Sequence, residues 1–151
     1  MRQRRVRFVA RLLPALAFAA SAAVAAPCAT SVGELRSIAG DAAFALRWEE
    51  TSMSDGKPLV VSIAQHDDGL HLEFVKVREG LWAEGAATIC QADAQLQARM
   101  KPGRLRLGPA AHWILRHSIG QGGVFLLSRQ PGGLLRIATP GWSGLFAPLR
   151  D

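Results

Sequence analysis

Tyrosine is absent from this sequence, cysteine occurs only twice, and no acid stands between Ala94 and Arg150. Each shortage excludes something. Two cysteines cannot supply the paired C-x-x-C motifs of a structural zinc site. No apolar stretch beyond the N-terminal leader is long enough to span a bilayer as a helix, which takes roughly 20 residues. The spacings that announce chemistry are missing as well. There is no G-x-S-x-G nucleophile elbow and no H-x-x-x-H pair. Gly120-Gln121-Gly122-Gly123 precedes a strand pattern, so it is not a phosphate-cradling loop opening a helix. No catalytic residue, cofactor or metal is predicted, and the sequence reads as a non-enzyme.

Residues 1–25 read as a cleaved secretory signal peptide. Arg2, Arg4, Arg5, Arg7 and Arg11 form a basic start, Leu12 to Ala20 an apolar run, and Ala23-Val24-Ala25 an A-x-A cleavage site. The expectation is a periplasmic or secreted protein with residues 26–151 as one domain. The leader also accounts for the high charge. The chain carries +6, but with the five leader arginines removed, thirteen bases face twelve acids, a net +1. No nucleic-acid partner is expected.

What charge remains is segregated. Ala26 to Asp93 holds five bases and eleven acids; Ala94 to Arg150 holds eight bases and no acid. Either the two halves neutralise each other across one sheet system, or a one-signed surface steers an anionic ligand or an acidic partner. In an oxidising compartment Cys28 and Cys90 are predicted to pair. The bridge closes a loop of about 60 residues, worth about 2–4 kcal/mol. A lipid anchor on Cys28 is disfavoured by Pro27, where a lipobox takes a small residue.

Ser31-Val32-Gly33-Glu34 fits a capping box for a short helix carrying Val32, Leu35 and Ile38, stopped by Gly40. Strand patterns follow. Phe44, Leu46 and Trp48 alternate with polar or small residues; Leu59 to Ala64 is almost wholly apolar; Leu70, Leu72 and Phe74 share a face. Leu81 to Cys90 returns from a turn at Glu79-Gly80, with Gly85 as a kink. Ala94 to Met100 is a strand, Lys101-Pro102-Gly103 a turn, and Leu105 and Leu107 begin another strand. Residues 110–119 fit either a strand or a helix. Val124 to Arg129 and Leu134 to Thr139 form a further pair, Pro140 to Gly144 a break, and Leu145 to Leu149 a closing edge.

Eight or nine short strands with turn signals every 8–12 residues predict an all-β fold, a small antiparallel β-barrel or a β-sandwich. Behind an export signal, this meander resembles lipocalin-like barrels in architecture. The lipocalin start motif, a Gly two residues before a Trp, is absent, because Gly40 stands eight residues before Trp48.

Function is read from side chains. His66-Asp67-Asp68 with His71 makes a possible ligand cluster, but Asp67-Asp68-Gly69 is already a hairpin turn and no third ligand stands nearby in sequence. Glu73 and Glu84 are placed to face each other across a hairpin. Trp142, in the Pro140–Gly144 break, and Trp82 are the candidate partner anchors, with Arg104, Arg106 and Arg116 as the electrostatic component. The predicted function is binding: a small apolar or amphipathic anionic ligand in a barrel lined by Phe44, Leu46, Leu72 or Phe74. The alternatives are an inhibitor or immunity-type module acting on an envelope protein and, third, a small secreted hydrolase using Ser143.

Overall fold

The computed structural model describes residues 26–51, 58–76, 81–107 and 121–149, with the side chains of residues 76, 81–82 and 103–107 outside that description. The predicted leader, residues 52–57, the predicted turn at Glu79-Gly80 and the ambiguous segment 110–119 therefore lie outside the described residues.

The fold is a closed eight-stranded antiparallel barrel with one extra strand. The elements are β1 (Cys28–Ala29), α1 (Val32–Ile38), β2 (Arg47–Glu50), β3 (Val60–His66), β4 (Gly69–Lys76), β5 (Leu81–Ala92), β6 (Gln95–Leu107), β7 (Val124–Gln130), β8 (Leu134–Thr139) and β9 (Trp142–Pro148). From β2 to β9 each strand pairs with the next, and β9 returns to β2 through Trp48↔Pro148, Glu49↔Ala147 and Glu50↔Phe146. Between the two architectures foreseen, the β2–β9 pairing selects the barrel. β1 continues the edge of β5 beyond the end of β4, setting Cys28 directly opposite Cys90, and the two are disulfide-bonded.

The alternation read from sequence puts one face of each strand inside. Val61 and Ile63 of β3, Leu70, Leu72 and Phe74 of β4, Leu96, Ala98 and Met100 of β6, Phe125 and Leu127 of β7, Leu135 and Ile137 of β8 and Phe146 of β9 are all buried. Aromatic rings cross the lumen: Phe74 packs on Phe125 at 5.1 Å between centroids and edge-on to Trp142 at 6.4 Å, and Trp142 meets Phe146 at 6.2 Å. Small residues make room for them. A methyl group on Gly144 would lie 2.7 Å from a ring carbon of Phe146. Eight strands enclose a lumen that side chains alone can fill, and among the described residues these rings and the buried aliphatics pack against one another inside it.

α1 closes the end where β3–β4, β5–β6 and β7–β8 turn. Leu35 is fully buried in the core, and the Val32 amide donates to Gln65 Oε1 at 3.0 Å. Ser31 Oγ caps the Glu34 amide at 3.2 Å as expected, but the Glu34 carboxylate reaches one residue further back, to the Thr30 amide (2.7 Å) and hydroxyl (2.8 Å). Those hydrogen bonds, the Thr30 amide first, hold the Glu34 carboxyl below its ordinary range. Gly40, at φ 69°, ends the helix as predicted.

Three expectations are corrected. Phe44-Ala45-Leu46 is not part of a strand. Asp41 folds this stretch instead, its side chain accepting from the Ala43 amide and its carbonyl from the Phe44 amide. Lys101-Pro102-Gly103 does not turn the chain, since β6 runs on through it. The pairing skips from Ala87↔Met100 to Gly85↔Leu105, so four residues of β6 bulge opposite Ala86, and Pro102 sits where no ladder donor is required. Trp142 is not in a loop: Thr139 pairs with Trp142 across a two-residue turn, and β9 begins there.

Candidate functional site

The outer wall of β3, β4 and β5 gathers the ionisable side chains that sequence alone left scattered. Residues on the solvent side of β4 alternate with the buried leucines, so His71 and Glu73 face outward. Glu73 stands directly opposite Glu84 on β5, the facing that the sequence suggested. His66, at the end of β3, is on the same side of the sheet and leans diagonally over β4. The two imidazoles stack, with centroids 3.8 Å apart and planes 17° from parallel.

Glu84 Oε1 lies 2.8 Å from His71 Nδ1 and 3.6 Å from His66 Nε2. His66 Nε2 is also 3.3 Å from Glu73 Oε1. The other nitrogen of His71, Nε2, is 2.6 Å from Asp68 Oδ1 in the β3–β4 turn. His71 is the anchor, its side chain only 12% exposed. A neutral imidazole carries one N–H, whichever tautomer it adopts. Both nitrogens of His71 face carboxylate oxygens at hydrogen-bonding distance, so a neutral ring leaves one of the two contacts lone pair against lone pair. A cation between the ring nitrogen and the carboxylate oxygen relieves that contact.

Sequence reasoning weighed His66, Asp68 and His71 but found no third ligand. The third donor comes from β5, 13 residues beyond His71. Its approach follows from the β4–β5 register, which places Glu73 across from Glu84; chain spacing gives only half of that signal.

Among the predicted anchors, Trp142 is the one whose side chain is described. Trp142 turns inward, half-buried against Phe74 and Phe146. Leu72 and Phe74, foreseen as cavity lining, are fully buried in the packed core, and Phe44 is buried at the α1 end. The backbones of Trp82, Arg104 and Arg106 run in strands, with Arg106 opposite Glu84 in register, but their side chains lie outside the described residues. Arg116 lies outside them altogether. Arg129 sits at the barrel rim, its guanidinium 5.5 Å from the Phe44 ring centroid and 3.4 Å from Asp41 Oδ2.

The charge segregation maps onto the barrel wall. The acids Glu49, Glu50, Glu73 and Glu84 lie on β2, β4 and β5, whereas β6 and β8 carry exposed Arg99, Lys101 and Arg136. On the outer face of β6–β9, Arg99 pairs with Val124, Gln97 with Leu126, Leu126 with Ala138, and Arg136 with Leu145. Leu145 is 40% exposed, the large apolar residue most open to solvent among the described residues. This wall thus interleaves arginine with aliphatic side chains. Compared with models of known families, with curated proteins and with solved structures, the chain gives no match.

Proposed function

We propose that this chain is an exported, non-enzymatic binding module that engages an acidic protein of the cell envelope through the outer wall of β6–β9. The observation that carries the reading is the composition of that wall. Arg99 and Arg136 flank Val124, Leu126, Ala138 and Leu145, and no acid occurs in sequence from Ala94 to Arg150. Apolar side chains supply desolvated contact area, and arginines supply directional hydrogen bonds to carboxylates. One-signed charge steers an oppositely charged partner and repels a like one. The leader at residues 1–25 and the Cys28–Cys90 bridge support export.

A ligand held inside the barrel is the weaker reading. It would have to displace Phe74, Phe125, Phe146 and Trp142, the rings that occupy the lumen. An outward-facing role leaves that core intact.

The test places a photo-crosslinking side chain at Ser143, which is exposed on the same wall, in cells expressing the full chain. The expected result is a discrete adduct that disappears in the Arg99→Glu/Arg136→Glu variant, while a probe at Glu49 gives none. Absence of an adduct, or an adduct indifferent to the double charge reversal, refutes the proposal.

A further inference from the structure

On the opposite wall, the geometry points to a binding site for a divalent first-row metal ion of the zinc class, held by His66 Nε2, His71 Nδ1 and Glu84 Oε1. These donor atoms lie within 4.8 Å of one another. A tetrahedral ion with bonds of about 2.0–2.1 Å sets neighbouring donors about 3.3 Å apart. Glu84 Oε1 stands 2.8 Å from one imidazole nitrogen and 3.6 Å from the other, distances on either side of that value. Glu73 Oε1, 3.3 Å from His66 Nε2, borders this three-residue set without belonging to it, and solvent completes the coordination.

Asp68 gives the arrangement its direction. A metal-bound imidazole ordinarily donates its second N–H to a carboxylate, which fixes the tautomer and raises the basicity of the ligating nitrogen. Asp68 Oδ1 at 2.6 Å from His71 Nε2 does this, leaving the Nδ1 lone pair directed at Glu84. An ion between Nδ1 and Oε1 turns that lone-pair contact into two coordinate bonds. Two imidazoles with carboxylates suit zinc, copper or nickel better than magnesium or calcium, which take all-oxygen sets. The donors project from three neighbouring strands of a closed barrel, which fixes their backbones better than loops would. The half-buried His66 ring, stacked on His71, has to swing out of that stack to aim its lone pair at the same ion.

The experiment uses the full chain without a histidine tag, its disulfide intact, stripped of metal by a chelator. Zn²⁺ is titrated against a chromophoric competitor, and Co²⁺ is added separately to read its visible absorption. Expected are one Zn²⁺ per chain and a Co²⁺ spectrum of tetrahedral intensity. Asp68→Asn should weaken Zn²⁺ binding by about 10–100-fold. Glu84→Gln and His71→Gln should abolish the Co²⁺ signal while circular dichroism shows the barrel unchanged. The inference is overturned if the unaltered chain takes up no more Zn²⁺ than the His71→Gln/Glu84→Gln double variant. It is overturned equally if Glu84→Gln leaves Zn²⁺ binding unchanged, because the ion is then held by other groups.

Discussion

Replacing Gly144 by alanine tests the filled barrel with a single methyl group. The added carbon would lie 2.7 Å and 3.1 Å from two ring carbons of Phe146 and 3.4 Å from Trp142 Cζ2. Carbon atoms pack favourably at about 3.5–4.0 Å, so the Phe146 ring has to move by roughly 1 Å into a space already bounded by Trp142 and Phe74. Overpacking of this kind costs about 1–3 kcal/mol. For a domain of this length each kcal/mol lowers Tm by about 4 °C, giving an expected fall of about 4–12 °C. Urea unfolding followed by tryptophan fluorescence should show the same loss as a lower midpoint with an unchanged slope. Phe146→Leu in the same chain makes room for the methyl, so the double variant should be less destabilised than the two single effects added together. If Gly144→Ala proves neutral or stabilising, the rings are not in contact and the lumen has spare volume. The case against an internal ligand would then fail.

Removing the bridge with Cys28→Ser/Cys90→Ser should cost about 2–4 kcal/mol, read as a lower urea midpoint that reductant no longer shifts. Glu34 makes a pH-dependent contribution at α1. Because its folded-state carboxyl titrates below the ordinary value of 4.5, the stabilisation is fully present above that value and is lost as pH falls through the lower, folded-state value. Hydrogen exchange at the Val32 and Leu35 amides should accelerate over that acidic window in the unaltered chain, and Glu34→Gln should flatten the dependence. Amides in β7 should show no such difference between the two chains.

The barrel was legible in the sequence because its signals are local. Alternation in Leu70-His71-Leu72-Glu73-Phe74 states which side is wet, and Asp67-Asp68-Gly69 and Pro131-Gly132-Gly133 state where the chain reverses. Residues whose meaning depends on a neighbouring strand were misread. Lys101-Pro102-Gly103 has the composition of a turn, and only the skipped register against Gly85 and Ala87 shows that it is a bulge inside β6. Trp142 follows Pro140-Gly141 and so resembles a loop residue, yet the tight turn places it on the inward face of β9. The same limit applied to the ionisable cluster. His66 and His71 are adjacent enough in sequence to notice, whereas Glu84 joins them only through the pairing of β4 with β5.

Closure of the barrel joins strands about a hundred positions apart, Trp48 to Pro148. Contacts so distant in the chain form late, because the entropy of bringing the ends together is spent before the contact returns anything. Until then the growing sheet has two free edges, β2 and β9, each with a bare apolar face toward the unfinished lumen. Such edges recruit strands from other molecules. These two are poor templates: β2 offers Glu49 and Glu50, and β9 offers Gly144 and Pro148, residues that repel, loosen or cannot donate to an incoming strand. The seam where the barrel closes is thereby also guarded against dimerisation during folding, and substitutions that make it more strand-like should favour aggregation even where they stabilise the finished barrel.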